Sequence, residues 1–346
     1  MVAAVVAGLV GMDAATASAA EPPTPLGVGW TAGVVAGVDA VDNQVFFDAQ
    51  DLHSPAKVTF NFITTPMTLG STTPVLIVLG VLPSGKQFLL PVPTTYTTSD
   101  SPPSIYSPVG HVTWVSSAQA FHLVVADAVS GFSADLWFAG HPGGATLPAD
   151  WDGQTSYWVQ SIGAGKVNGT VSFPGYSSPT TVADWGGEEE TEYGTYELGP
   201  GPIPPTGLAH IGYDYAQSDN PDGSADALDV FPELDGGWRG ILVHTSASGQ
   251  VTECEPSQAG GIRLSNWHTD STTGYVYPLV MSASCGSLSI TWVTTPAQTE
   301  IPVQGQLDGF LVSDSAGVSS VPGSVAAMQH LRDNGHFDQM PAGSSR

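Results

Sequence analysis

The chain is poor in positive charge. Of its 346 residues only 7 are Lys or Arg against 32 Asp or Glu, a formal net charge of −25, and charged residues of either sign make up only 11%. So few cations cannot neutralise a run of phosphates, which excludes nucleic acid and acidic membrane surfaces as partners. Cysteine is scarcer still. Cys254 and Cys285 are the only two, and neither sits in a C-x-x-C or beside a histidine. A cysteine-rich metal centre is therefore excluded, and the even count points to a disulfide between them. The N-terminal apolar run Val2 to Met12 is too short to span a bilayer.

Catalytic signatures are missing as well. There is no G-x-S-x-G elbow, no H-E-x-x-H among the nine histidines, no Walker loop, and no G-x-G-x-x-G after a strand. Serine-hydrolase, zinc-peptidase and nucleotide-cofactor chemistry lose their usual support, so no cofactor and no metal is expected. His141-Pro142-Gly143-Gly144 has the look of an oxyanion loop, but without a nucleophile it reads as a turn.

What the chain does have is 41 Gly, 28 Pro, 9 Trp and 41% hydrophobic residues. That is ample for a core and hostile to long helices, so turn-rich β structure is expected. The run Val2 to Met12, followed by Ala17-Ser18-Ala19-Ala20, reads as a secretory signal over residues 1–20, although no Lys or Arg precedes it. Export to the secretory pathway follows, and Asn168-Gly169-Thr170 is then an N-glycosylation sequon in a eukaryotic host.

Short β-branched runs bounded by turn residues recur at strand spacing. Val58 to Ile63, Val75 to Leu82, His111 to Val115, Phe121 to Val125 and Ala134 to Phe138 predict a first β domain over residues 21–198. Gly199 to Pro205 is the most linker-like stretch, placing a linker at 199–207. A second β domain over 208–346 carries candidate strands at Ile211 to Ala216, Ala227 to Phe231, Arg239 to Thr245, Tyr275 to Ser282 and Ser287 to Thr294. Ser324 to Leu331 reads as a short C-terminal helix, capped by Ser324 and stopped by Asn334-Gly335.

Four stretches carry a resemblance. They are Val45-Phe46-Phe47-Asp48-Ala49; Ser156-Tyr157-Trp158-Val159-Gln160 through a Gly turn to Phe173 and on to Asp184-Trp185-Gly186-Gly187; Ile211-Gly212-Tyr213-Asp214-Tyr215; and Asn266-Trp267-His268 through Thr273-Gly274 to Tyr277-Pro278. In this order the chain resembles the lipocalin-like group containing hydroxyneurosporene synthase, kievitone hydratase and the fungal Diels-Alderases. Val45 stands where that group usually has Trp. The resemblance implies an all-β fold of two lipocalin-like antiparallel barrels with a ligand cavity at or near their junction.

The residues allow three functions. A secondary-metabolite cyclase would fold a hydrophobic terpenoid or polyketide-derived substrate against Trp158 and speed a cycloaddition by orientation, with Gln160 or a hydroxyl of Tyr213 or Tyr215 polarising an enone. This is the preferred reading, on resemblance. A hydratase would use Asp184, desolvated beside Trp185, to protonate an isoprenoid double bond. A secreted carrier would bind a hydrophobic molecule and leave it unchanged. Asp184, Gln160 and Tyr213 are thus the candidate catalytic residues, and Tyr157, Trp158, Trp185, Tyr215 and Trp267 the candidate substrate-binding ones. Glu188, Glu189, Glu190 and Glu192 read as a solvated acidic loop able to supply a base. The Trp267-His268 pair reads as a turn or core pair, and His244 as core.

Overall fold

Apolar residues that alternate with polar ones form strands throughout the described residues, and no helix occurs among them. The computed structural model describes residues 42–63, 75–100, 102–141, 143, 149–151, 154–194, 212–232, 238–256, 261–269, 276–294, 299–302 and 311–332. The expected signal segment and the 199–207 linker lie outside them.

Two antiparallel sheets result. The first contains β1 (Asp42–Gln50), β2 (Lys57–Ile63), β3 (Val75–Val81), β4 (Gln87–Pro93), β5 (Thr97–Asp100), β6 (Pro103–Ser107), β7 (Gly110–Val115), β8 (Ala120–Asp127), β9 (Phe132–His141), β10 (Ala149–Trp151), β11 (Gln154–Ser172) and β12 (Thr180–Gly194). Its order is β4-β3-β2-β1-β12-β11-β9-β8-β7-β6-β5, with β10 on β11. The second contains β13 (Gly212–Asp219), β14 (Ala225–Pro232), β15 (Trp238–Thr245), β16 (Val251–Cys254), β17 (Ile262–Thr269), β18 (Val276–Cys285), β19 (Leu288–Thr294), β20 (Thr299–Pro302), β21 (Leu311–Ser319) and β22 (Val325–Arg332). Its order is β16-β15-β14-β13-β22-β21-β19-β18-β17, with β20 on β21.

Each sheet curls around its own core. In the first half Phe47 sits at the centre, edge-on to Phe121 at 5.4 Å and to Phe138 at 5.1 Å, with Phe60, Phe62 and Phe132 around it. Rings in that arrangement favour a tightly filled interior. The second half encloses Leu228, Val230, Leu242, Met281, Trp292 and Met328, and the Trp292 indole donates to Ser218 Oγ at 3.2 Å. The Cys254–Cys285 disulfide forms, across a Cα–Cα distance of 6.3 Å. It joins the edge strand β16 to β18, next to the opposite edge strand β17, and so staples the curl where no backbone ladder closes it.

Two expectations are corrected. The segment expected as a helix over Ser324 to Leu331 is strand β22, paired with both β13 and β21. Ala326 and Met328 enter the second core while Ala327 is buried on the other face, so an apolar run of small residues arises from burial on two sides. Ser324 is no helix cap: its hydroxyl accepts the Ser319 amide at 2.8 Å in the β21–β22 turn. The glycines Gly163 and Gly165 form no turn either. They lie in the single long strand β11, where extra residues bulge between Gln160 and Ile162 and again between Ile162 and Gly165.

The halves dock through their outer faces, β11 against β14 and β15. Glycine permits this approach. A Cβ on Gly163 would stand 2.5 Å from Gly143 Cα and 2.6 Å from Thr245 Oγ1, and one on Gly186 would stand 2.3 to 2.5 Å from the Asp219 side chain. Gly186 of the Trp-Gly-Gly segment therefore marks a contact between the two halves.

Candidate active site at the junction of the two halves

Strand alternation fixes what the junction contains. Opposite Phe47, which faces the first core, Phe46 and Asp48 face the second half; register then places Glu190 beside Phe46 and Glu188 beside Asp48. From β11, Gln160 pairs with Glu190, and Trp158, two residues before it, lies on the same side. From β13, Tyr215 reaches across. Three consecutive glutamates thus lie inside a central strand, with Glu188 and Glu190 in the junction and Glu189 turned toward the first half. All three are buried, Glu189 completely. The acidic loop expected at this point is a correction: these residues belong to strand β12, and Glu188, Glu189 and Glu190 are buried.

A network joins them. The Trp158 indole donates to Glu190 Oε2 at 2.6 Å, and its ring lies 6.0 Å from Tyr215, nearly edge-on. Gln160 Nε2 donates to Glu188 Oε2 at 3.1 Å, and the Tyr215 hydroxyl donates to Glu188 Oε1 at 2.6 Å while lying 3.0 Å from Gln217 Oε1. On the other side Thr59 Oγ1 donates to Asp48 Oδ1, which also faces Lys57 Nζ at 3.7 Å. Asp48 and Lys57 are both buried. Phe46, Asp48, Lys57, Thr59, Glu190 and Tyr215 line a small cleft with Gln217 and Ala327, its volume about 10 Å³, the room of one water.

Burial holds the Glu190 carboxyl well above the usual carboxylate range, and the nearby charge of Asp48 pushes the same way. Glu188 is raised likewise, first by burial and then by Glu190 and Asp48. The Tyr215 phenol is raised by burial and by the two glutamates, so it remains a donor. Asp219, against Gly186, is pushed up to about 7 by burial despite the opposing charge of Lys166. Glu189 is pushed up to about 7 by burial, which outweighs hydrogen bonds from the Ser161 amide and the Thr191 hydroxyl. The junction therefore holds carboxyls that keep their protons near neutrality, beside an ion-paired one.

The sequence-predicted residues divide. Trp158, Gln160 and Tyr215 meet in this network. Asp184 does not: it is exposed, at φ 54° in a bulge of β12, with its amide donating to Asn168 Oδ1 at 3.0 Å. The desolvation its acid role requires is absent. Trp185 fills the first core and lies outside the cleft lining. Trp267 packs against the second core, its indole N–H buried without a hydrogen-bond partner. Its neighbour His268 stacks obliquely on Tyr277 at 5.1 Å. His244 is half-buried and bonds Asp226 at 2.7 Å, so it has a polar partner where an apolar core position was expected. Tyr157 and Tyr213 belong to β11 and β13, but their side chains lie outside the described residues. Asn168 is exposed on β11. Asp48 was missed as a site residue, and Glu188 and Glu190 were expected only as members of a solvated loop able to supply a base; the signal available was an acidic run flanked by Trp-Gly-Gly in a chain with almost no cations to pair it.

No family model matches the chain, and no curated protein matches its sequence. Solved structures do match it. CghA is similar at 10% identity and a TM-score of 0.57 over 86% of this chain and 89% of that one. Kievitone hydratase from Nectria haematococca gives 10% and 0.57 over 84% and 89%. A protein designated AttH from Nitrosomonas europaea gives 13% and 0.55 over 86% and 93%. The class is thereby defined: the chain has the paired lipocalin-like β fold. CghA and kievitone hydratase are among the solved structures that share this fold, the latter from the group its motifs resemble.

Proposed function

We propose that this protein is an enzyme of small-molecule metabolism that adds water to a carbon–carbon double bond of a hydrophobic, isoprenoid-like substrate at the junction cleft. Glu190, and not Asp184, is the acid. The observation that carries the reading is a desolvated carboxyl, held by the Trp158 indole, lining the same cleft as the ion-paired Asp48. Two carboxyls in unlike environments divide the labour of acid and base. The Glu190 proton passes to one alkene carbon and forms a C–H bond, leaving a cation on its neighbour. Water forms the new C–O bond there and gives its proton to the Asp48 carboxylate. Proton return to Glu190 completes the cycle, and the net change is one water added. Phe46 and Tyr215 line the cleft, and the face of an aromatic ring stabilises a passing cation. Because the cleft has the room of one water, a substrate enters only as side chains move aside.

The cyclase reading is weaker at this site. The donors it would use, Gln160 and Tyr215, are both committed to Glu188. That kievitone hydratase shares the fold supports hydration as chemistry this scaffold accommodates. Export of the chain belongs to the same proposal: the disulfide suits an oxidising compartment, and no helix among the described residues is long and apolar enough to cross a membrane.

The test is incubation of the purified protein with a panel of isoprenoid and polyene alkenes in heavy-oxygen water, followed by mass analysis. Incorporation of one labelled water is expected, and Glu190→Gln, which keeps an acceptor for Trp158, should lower turnover by about 10²–10⁴-fold with binding intact. An isomer of unchanged mass would establish a cyclase, and bound but unaltered ligand a carrier.

A further inference from the structure

Gln217 lines the cleft yet has no part in the acid–base scheme. It is buried on β13, where Ala216 enters the second core and Gln217 shares the opposite, junction face with Tyr215. Its cross-strand partners are Ala227 on β14 and Ala327 on β22, so neither offers its amide a side-chain hydrogen bond. The contact it does make is with the Tyr215 hydroxyl, 3.0 Å from Oε1. That hydroxyl also lies 2.6 Å from Glu188 Oε1, and a phenol has a single hydrogen. If the hydrogen goes to Glu188, the Gln217 amide is turned so that Nε2 donates to the phenol oxygen, and Oε1 is left over. If a protonated Glu188 donates instead, the phenol hydrogen goes to Gln217 Oε1, and Nε2 is left over. In both arrangements Tyr215 engages one end of the amide. The other end, without a partner among the described residues, is left for whatever enters the cleft.

The first half's polar wall is already engaged: Asp48 holds Lys57 and Thr59, and Trp158 holds Glu190. A pure hydrocarbon in the cleft would strip water from the spare amide end and return nothing, which counts against its binding. A hydroxyl is both donor and acceptor, and so satisfies that end in either arrangement. We propose that Gln217 is a specificity-determining residue, and that the substrate is an unsaturated alcohol whose hydroxyl bonds the spare amide end while its alkene lies toward Glu190 and Asp48. This rests on the reading of the junction cleft as the active site. The two halves then divide the work, with the proton transfers on the first sheet and substrate selection on the second. Holding the hydroxyl apart from the acid also fixes which alkene carbon meets the Glu190 proton. Selectivity of this kind is discrimination against the analogue that leaves a buried polar group unpaired.

The test is a binding measurement that does not depend on turnover. Geraniol and farnesol, and for each the hydrocarbon of the same skeleton with hydrogen in place of the hydroxyl, are titrated calorimetrically into the wild-type protein and into Gln217→Met. That variant keeps the length of the side chain and removes its amide. The affinity ratio of alcohol to hydrocarbon should fall by about 10–100-fold in Gln217→Met, with the hydrocarbon gaining affinity as the alcohol loses it. An unchanged ratio, or a wild-type protein that binds neither alcohol, overturns the proposal. So does a variant whose ratio is unchanged while its kcat falls, since Gln217 would then hold the attacking water. If Gln217→Met does not fold, a crystal structure of the wild-type protein with geraniol decides: a hydroxyl within about 3.2 Å of the Gln217 amide supports the assignment, and one placed elsewhere overturns it. If the ratio falls as expected but no labelled water is incorporated, the selectivity stands and the hydration reading falls.

Discussion

Raising the pH from about 5 to about 8 should destabilise this protein steeply. Glu189 and Asp219 hold their protons up to about pH 7 in the fold, against usual values of 4.5 and 3.8, because burial disfavours their charge. The folded chain therefore binds protons in this window that the unfolded chain has already released. For acids raised in this sense, stability is fully present below the unfolded values and is lost as pH rises through the folded ones. At about 1.4 kcal/mol per pH unit separating the two states, Glu189 accounts for roughly 3 kcal/mol and Asp219 for roughly 4. With both engaged, the free energy of unfolding should fall by about 3 kcal/mol per pH unit through the middle of the window. Glu188, Glu190 and Asp229, all raised by burial, carry the loss to higher pH. Asp127 and Asp222, lowered by hydrogen bonds from Ser130 and Ser224, act only at the acid end. The assay is urea denaturation at closely spaced pH values, and its slope counts the protons. Glu189→Gln should reduce that slope by about one proton. A free energy that is flat or rises between about pH 5 and 7 would refute the reasoning, since it would mean that these carboxyls ionise freely within the fold.

Gly186→Ala should cost about 1–3 kcal/mol, because the new Cβ would fall on the Asp219 side chain; denaturant midpoints measure it, and the loss should shrink in an Asp219→Ala background. Cys254→Ser, or reduction of the wild-type disulfide, should remove roughly 3–4 kcal/mol in the chain-entropy model for a separation of 31 residues, read as a lower melting temperature under reducing conditions. Asp184→Asn should leave turnover unchanged and stability within about 0.5 kcal/mol, as suits an exposed side chain; loss of activity would return the acid role to Asp184.

The strands were legible because burial on one face writes a period of two into the sequence. Phe121 to Val125 and Ala134 to Phe138 became β8 and β9, and their inward residues Phe121, Leu123, Leu136 and Phe138 form the first core. The same logic failed where both faces are buried. Ala326, Ala327 and Met328 present no alternation because the core covers one side and the junction the other. The acidic run failed for a related reason. Charge in sequence reads as exposure, and only the register opposite Phe46 and Asp48 shows that Glu190 and Glu188 lie between the two sheets. Trp158, Gln160 and Tyr215 could be picked out as aromatic and amide groups in motif stretches. Their partners Glu188 and Glu190 come from a different strand, and such convergence is a property of the fold.

The composition that first excluded phosphate-bearing partners also bears on why the site lies between the halves. Each half closes a hydrophobic core within its own sheet, so the outer face where the sheets meet is not needed to drive folding of either. That face is free to carry groups whose burial is unfavourable. The docking then desolvates them, and desolvation gives Glu190 a proton to donate near neutral pH. A chain richer in lysine and arginine would neutralise such carboxyls and hold them ionised. Of the 7 cations in the sequence, Lys57 and Lys166 both act on Asp219, yet burial still leaves that group near pH 7. Scarcity of positive charge is therefore a working condition of the junction, and the substitution Gln160→Lys, which places an ammonium beside Glu188, should ionise the cluster and abolish its acid function while leaving both cores intact.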